Sequence, residues 1–354
     1  MALLLALCGL ALLIAGAESL VRGAARLATA VGVSPLLVGL TVVAWGTSAP
    51  ELAVSLAAAV QGQPDIAVGN VVGSNVFNVL FILGAAAAVA PLAVSQQLVR
   101  IEVPILVLAS LFSWYLAADG QITRGEGFAL LATGLAYTGF ALRTGAAAEN
   151  QVPTDAVDGA AMRTIGHVAL VVVGLAALVL GSRWFVAGAV HIARWFGVSE
   201  LVIGLTIVAG GTSLPELATS IVAAVRGERD ISVGNAVGSN LFNLLFVLGG
   251  AAAVSGYVPV AQGALSFDFP VMVAVAVACL PVFFTGHRIA RWEGWLFFGY
   301  GIAYWTYLFL ASAHHDALPA FHVVMLAFVI PLTLVTVAVS VARQIRSDLR
   351  SANV

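Results

Sequence analysis

Residues 39–84 read GLTVVAWGTSAPELAVSLAAAVQGQPDIAVGNVVGSNVFNVLFILG, and residues 204–249 read GLTIVAGGTSLPELATSIVAAVRGERDISVGNAVGSNLFNLLFVLG. Aligned at a shift of 165 residues, 32 of the 46 positions are identical. Two apolar stretches can resemble each other by composition alone, but not with Thr, Ser, Pro, Glu, Asp, Asn and Gly coinciding as well. An internal repeat of this kind governs the reading of the whole chain.

Around the repeat, 61% of the 354 residues are hydrophobic and 9% are charged, whereas a soluble domain is about a quarter charged. So few ionisable side chains cannot cover a water-facing surface. Soluble enzymes, nucleic-acid binders and disordered chains are excluded, and an integral membrane protein remains. All 15 cations are arginine, and the formal net charge is −2. Cys8 and Cys279 sit within apolar runs and read as small hydrophobes, not as a disulfide or a metal pair.

Runs of about 20 apolar residues cross a bilayer as helices. Polar punctuation places such runs near 2–29, 34–61, 66–90, 98–118 and 124–143, then near 163–195, 199–226, 231–256, 267–285 and 291–311, with an eleventh near 319–343. They are long and continuously apolar, unlike the short alternating strands of membrane barrels. The first run lacks the positive flank of a secretory signal, and its counterpart at 167–195 marks it as a structural helix. The expected fold is all-α and polytopic. Residues 1–143 form a first five-helix repeat and 144–163 a linker. Residues 164–311 form a second repeat, and 312–354 an extra helix with an Arg-rich tail.

A repeat unit of five helices has an odd count, so its second copy enters the membrane from the opposite face. With the N-terminus outside, 12 of the 15 arginines (22, 26, 100, 143, 163, 226, 229, 288, 291, 343, 346 and 350) fall on the cytoplasmic side. Only Arg124, Arg183 and Arg194 do not. This positive-inside bias places the linker and the C-terminus in the cytoplasm and the protein in the inner (plasma) membrane. Inverted repeats with interrupted helices are the architecture of secondary transporters, whose substrates bind near the midplane.

Each copy carries G-T-S-x-P-E inside an apolar helix, at Gly46–Glu51 and Gly211–Glu216. Proline removes one helical hydrogen bond, and in hydrocarbon the released carbonyl needs a cavity or a partner. Thr47 and Glu51, like Thr212 and Glu216, share a helix face. An ionisable carboxylate at mid-membrane depth marks a functional site. A second motif, G-S-N-x-F-N, pairs Ser74 with Asn78 and Ser239 with Asn243 one turn apart. Gly69 with Gly73 and Gly234 with Gly238 form G-x-x-x-G, which permits close helix approach. Together these groups make an all-oxygen donor set suited to hard cations such as Ca²⁺ or Na⁺. The histidines lie outside both motifs, and His314-His315-Asp316 reads as a solvated turn. Glu18 and Glu102 are expected near helix ends at the interface, Asp65 and Asp230 as N-terminal caps, and Pro104, Pro270 and Pro281 as kinks or ends.

On these motifs the chain resembles the calcium/cation antiporter superfamily, in its prokaryotic sodium/calcium exchanger branch. The resemblance implies Na⁺ flowing down its gradient to drive Ca²⁺ the other way. It implies Ca²⁺ between Glu51 and Glu216 with main-chain oxygens of Thr47 and Thr212. It further implies Na⁺ at Ser48, Ser74, Ser213 and Ser239 with the carbonyls of Ala44 and Ala209, and Asn78 and Asn243 completing the centre. Asn243 stands where some microbial relatives carry aspartate. Ca²⁺/H⁺ or K⁺-dependent Na⁺/Ca²⁺ antiport by the same superfamily is the alternative. A passive cation channel fits less well, because selectivity filters ring a multi-subunit axis. An enzyme would need a nucleophile–His pair or a metal cluster, which the motifs lack. A monomer suffices for this layout, with the bilayer and the two ions as partners and no cofactor.

Overall fold

The computed structural model describes residues 1–147, 160–198, 203, 207, 209–313 and 315–351. The chain is helical, beginning with α1 (Ala2–Val31). Next come α2 (Pro35–Thr47) and α3 (Ala49–Val60), one span bent by 46° at Ser48. Then follow α4 (Pro64–Val89), α5 (Leu98–Leu116) and α6 (Arg124–Ala147). The second half has α7 (Ala160–Trp195), the short α8 (Ala209–Gly211), α9 (Leu214–Arg226) and α10 (Arg229–Ser255). It closes with α11 (Ala264–His287) and α12 (Arg291–Ser312), before the added α13 (Leu318–Arg346). Seven of these helices are individually long and apolar enough to cross a membrane, and the bent α2–α3 pair makes an eighth. Ten of the eleven runs read from the sequence thus stand as helices, with ends shifted by a few residues; of the run near 199–226, residues 209–226 form α8 and α9, and most of 199–208 lies outside the described residues. Most of the 144–163 linker, including Glu149, Asn150, Pro153, Asp155 and Asp158, lies outside the described residues.

Local sequence sets the breaks. Ser34 caps α2 by accepting from Leu37 N–H (3.2 Å), with Pro35 at the first helical position, where its missing N–H costs nothing. Gly32 ends α1 at φ 72°, a left-handed turn that glycine takes without strain. Ser48 (φ −83°, ψ 8°) and Ser213 (φ −90°, ψ 8°) interrupt their spans. Pro50 and Pro215 follow in the first turn of the new helix, where proline is tolerated. Asp65 and Asp230 correct an expectation. They lie inside the first turns of α4 and α10, while Gln63 and Glu228 hold the cap positions, and no side chain caps either helix. Pro64 prefers the first helical position, which pushes Asp65 inward.

Two two-stranded ribbons report the inversion. Strand β1 (Leu92–Ala93) pairs antiparallel with β4 (Arg288–Ile289), and β2 (Gln121–Thr123) with β3 (Tyr257–Pro259). By the repeat, β1 corresponds to β3 and β2 to β4, so one ribbon is the other turned over. Wider π-helical turns recur in the same symmetric way, at Asn78–Leu83 and Asn243–Leu248 and at Leu98–Glu102 and Ala264–Asp268. Pro104 and Pro270 follow the latter pair directly, so the turns absorb the hydrogen bonds that proline removes.

Helices α1 and α7 cross antiparallel through backbone contact. A Cβ on Gly9 would stand 2.7 Å from the Gly181 carbonyl oxygen, and one on Gly174 would stand 2.8 Å from that of Gly16. Small residues alone permit this approach. Glu18 also departs from its expected place. It lies mid-way along α1, paired with Arg22 of its own helix and with Arg226 of α9 (Nε–Oε2 2.9 Å). Glu102 is buried instead of interfacial, accepting from the Tyr137 hydroxyl (2.7 Å) and Gln97 Nε2 (2.8 Å). Asp268 and Tyr304 repeat that carboxylate–tyrosine tie at 3.0 Å in the second half.

Candidate cation site

The two interrupted spans meet at their breaks, each starting a new helix with its glutamate in the first turn, where the helix dipole favours negative charge. Glu51 and Glu216 are 0% and 1% exposed. Their hydrogen bonds are exchanged across the repeat. Ser48 Oγ donates to Glu216 Oε1 (2.9 Å), and Ser213 Oγ donates to Glu51 Oε1 (3.0 Å). Each serine of one half therefore orients the carboxylate of the other. The second oxygen of each carboxylate, Oε2, is buried with no partner among the described residues.

A symmetric layer of amides supports this pair. Asn70 Nδ2 donates to the Glu51 carbonyl (3.2 Å) and to Ser55 Oγ (2.9 Å), while its Oδ1 accepts from Thr212 (3.4 Å). Asn235 does the same for the Glu216 carbonyl (3.3 Å), Ser220 (3.0 Å) and Thr47 (3.1 Å). Sequence reasoning assigned no role to Asn70 or Asn235. Their signal was present, an asparagine repeated inside an apolar helix 19 residues after each glutamate.

The G-S-N-x-F-N motifs come to the same centre. Ser74 lies 3.3 Å from Ser213, and Ser239 donates to the Ala44 carbonyl at 3.5 Å. Asn78 Nδ2 donates to Asn240 Oδ1 (2.9 Å), and Asn240 Nδ2 donates to the Asn75 carbonyl (3.1 Å). Asn243 is buried with both side-chain polar atoms unpartnered among the described residues, as are Asn75 Oδ1 and Asn78 Oδ1. Ala209 opens α8 as Ala44 sits in α2. Ser48 and Ser213 thus touch the carboxylates, Ser74 joins them through Ser213, and Thr47 and Thr212 join through the asparagines that hold the glutamate carbonyls. Ser239 reaches the Ala44 carbonyl and Asn78 reaches Asn240, one step further out. Of the two G-x-x-x-G pairs, Gly234 and Gly238 touch the α2 backbone, with a Cβ on Gly238 standing 2.5 Å from the Leu40 carbonyl oxygen. The segment equivalent to that part of α2, 201–208, lies mostly outside the described residues, so the approach of Gly69 and Gly73 is not described.

Buried carboxylates with neutral neighbours are costly unless a cation or proton joins them. Oxygen donors from carboxylates, hydroxyls, amides and carbonyls fit a hard cation. The family described as Sodium/calcium exchanger protein matches residues 1–143 and 166–312, both halves and none of α13. The chain belongs to this sodium/calcium exchanger family. Among relatives, the sodium/calcium exchanger MaX1 of Methanosarcina acetivorans is 31% identical over 350 residues, covering 86% of this chain and 98% of that protein. The inner membrane protein YrbG of Escherichia coli K12 is 39% identical over 276 residues, covering 76% of this chain and 84% of its own. The solved sodium-calcium exchanger NCX_Mj, soaked with 10 mM Na⁺ and zero Ca²⁺, superposes with a TM-score of 0.75 at 31% identity, covering 85% of this chain and 96% of its own. This exchanger-family chain is therefore a multi-pass helical membrane antiporter.

The two sides of the site are not equally packed. Helix α1 lies along α9, with Leu13, Ala17, Leu20 and Ala24 in one apolar cluster with Leu214, Ala218 and Val222. The equivalent space between α7 and the α2–α3 break is instead a cavity of about 520 Å³, lined by Gly46 and Ala49 on one wall and Leu175, Val179 and Arg183 on the other. Gly46 and Ala49 flank Thr47 and Ser48, so the cavity reaches the site's edge.

Proposed function

We propose that this chain exchanges Na⁺ for Ca²⁺ by alternating access, with Ca²⁺ held between Glu51 and Glu216. The observation that carries this reading is the exchanged Ser–Glu hydrogen bonding, which leaves one buried oxygen of each carboxylate unpartnered in a shared centre. Thr47 and Thr212 contribute main-chain oxygens to the Ca²⁺ position. Na⁺ occupies flanking positions at Ser48, Ser74, Ser213 and Ser239 with the carbonyls of Ala44 and Ala209, while Asn78 and Asn243 complete the centre. One Ca²⁺ neutralises two carboxylates, and Na⁺ ions do so from separate positions. Occupancy by one ion type then weakens the pull on the other, and exchange follows.

In the working cycle, α1 leaves α9 as α7 closes on the α2–α3 break, moving access from one face to the other. Residues 1–143 and 164–311 act as the two halves of this machine, and the 144–163 linker joins them on the cytoplasmic side. With the N-terminus outside, the cavity beside Gly46 opens outward. Ca²⁺/H⁺ exchange is the second reading. It is favoured by the amides at Asn78 and Asn243, which leave two carboxylates whose charge two protons also balance.

Uptake of radioactive Ca²⁺ into Na⁺-loaded proteoliposomes, compared with K⁺-loaded and pH-jumped vesicles, separates these readings. Uptake that collapses without the Na⁺ gradient supports the first. Uptake that ignores Na⁺ and follows a proton gradient overturns it.

A further inference from the structure

The helices that cross at the centre carry opposite charges at equivalent positions. Glu18 of α1 corresponds to Arg183 of α7, 165 residues later. Glu18 is paired with both Arg22 and Arg226. The repeat equivalents of those arginines are Ala187 and Gln61, and among the described residues Arg183 has no ion-pair partner. The contacts of Gly9 with Gly181 and of Gly16 with Gly174 place the axis relating the halves near Leu13 and Leu178. Arg183 is about five residues from that axis, or about 8 Å along the helix at a 1.5 Å rise. A half-bilayer of hydrocarbon is about 15 Å deep, so Arg183 is well inside it. An unpaired guanidinium at that depth belongs in a water-filled space and not against lipid tails. Such a space is present, since Arg183 lines the cavity that reaches Gly46 and Ala49.

We propose that Arg183 is a specificity-determining residue, a fixed positive charge in the open cleft that disfavours divalent more than monovalent cations on their way to the carboxylate pair. The proposal rests on the exchanger reading above. The physics is Boltzmann's: a potential that lowers local Na⁺ by a factor n lowers local Ca²⁺ by n², because the work scales with ion charge. On the other face the equivalent depth carries a carboxylate, Glu18, held by Arg22 and Arg226, so no isolated positive charge stands there. The two faces of one symmetric site thereby differ in their relative preference for Ca²⁺ and Na⁺.

The test measures apparent Na⁺ and Ca²⁺ affinities from each face in oriented vesicles, for Arg183→Gln and Arg183→Lys beside the parent chain. If Arg183→Gln tightens Na⁺ about threefold from the cleft face, Ca²⁺ tightens about ninefold. Arg183→Lys keeps the parent values, and high choline chloride shrinks both shifts by screening. Equal shifts for the two ions, no shift, shifts on both faces, or a lysine variant that behaves like glutamine each overturn the proposal. Should Arg183→Gln fold poorly, Arg183→Cys in a Cys8→Ser background gives a second route. A cationic thiol reagent restores parent values, and an anionic one pushes Ca²⁺ affinity beyond the uncharged adduct. A parent chain that shows no Na⁺-driven Ca²⁺ flux would instead sink the exchanger reading, an outcome distinct from any of these.

Discussion

Ala49, Ala53 and Ala57 lie on the exposed face of α3, while their equivalents on α9, Leu214, Ala218 and Val222, are half-buried beside α1. The two faces come from repeats that agree at 32 of 46 positions. Their carboxylates, serines and supporting asparagines are bonded in the same two-fold pattern. Symmetry holds in the carboxylate–serine–asparagine network, and it fails in the apolar faces packed on either side of it. A buried polar network tolerates one arrangement, whereas alanine faces slide past neighbours at low cost. That division is what an alternating-access device needs: a fixed site between two interchangeable closures.

Trapping either closure gives the largest effect. A short bifunctional thiol reagent on Glu18→Cys/Arg226→Cys should react in the state described here and stop exchange completely, with recovery once a cleavable link is reduced. The equivalent pair, Gln61→Cys/Arg183→Cys, spans the open cleft and should react only as the molecule passes through the opposite state. Ion gradients that sustain exchange should therefore speed its modification. Equal reactivity of both pairs, independent of transport, would show that the two closures do not alternate.

Next in size is the loss of one carboxylate. Glu51→Gln and Glu216→Gln each remove half of the negative charge and should lower Ca²⁺ flux by about a hundredfold or more, as expected for a charge-assisted ligand in a buried site. Because the hydrogen bonding is exchanged, the two variants should be affected alike. A variant that transports normally would remove its glutamate from the site.

Much of this centre was legible in the sequence because polar residues stand out in apolar helices and stand out twice. Glu51, Glu216, the paired serines and the breaks at Ser48 and Ser213 all follow from that contrast. Other features leave no such trace. A π-turn at Asn78–Leu83 is a change of backbone register with no side-chain signature. The tie between Glu18 and Arg226 spans 208 residues, and one partner of each such pair predicts nothing about the other. The aromatic packing teaches the same lesson. Trp45 packs at a tilt against Phe242 and Phe246, with ring centroids 5.5 and 5.2 Å apart. At the equivalent position stands Gly210, and Trp305 from α12 comes in to cover Phe77 and Phe81 at 5.6 and 4.6 Å. One copy carries its tryptophan within the repeat, and the other is covered by a tryptophan from another helix.

The amides test a smaller asymmetry. Asn78 is tied to Asn240, whereas Asn243 has no partner among the described residues. Asn243→Asp adds a third negative charge without breaking a bond and should tighten apparent Ca²⁺ affinity by about tenfold, or ~1.4 kcal/mol. Asn78→Asp gains the same charge but loses the donor to Asn240, so its net gain should be smaller by several fold. Titration of Ca²⁺ against initial flux measures both. A larger gain at position 78 would reverse the assigned asymmetry.

Helix α13 belongs to neither half, and the smallest effect is expected there. No residue of Leu318–Arg346 is buried, and its polar ties to the ten-helix body include the Tyr300 hydroxyl donating to Thr333 Oγ1 at 2.8 Å. Both halves of the site and both closures lie within residues 1–143 and 166–312, the stretches the family matches. Tyr300→Phe should therefore lower thermal stability by about 1 kcal/mol, the usual worth of one hydrogen bond, and leave Ca²⁺ flux within about twofold. Thr333→Val removes the same contact from the other side and should not add to it. A flux change well beyond twofold in either variant, at unchanged expression, would mean that α13 biases the choice between the two closures. The comparison of two halves would then have to include a third element.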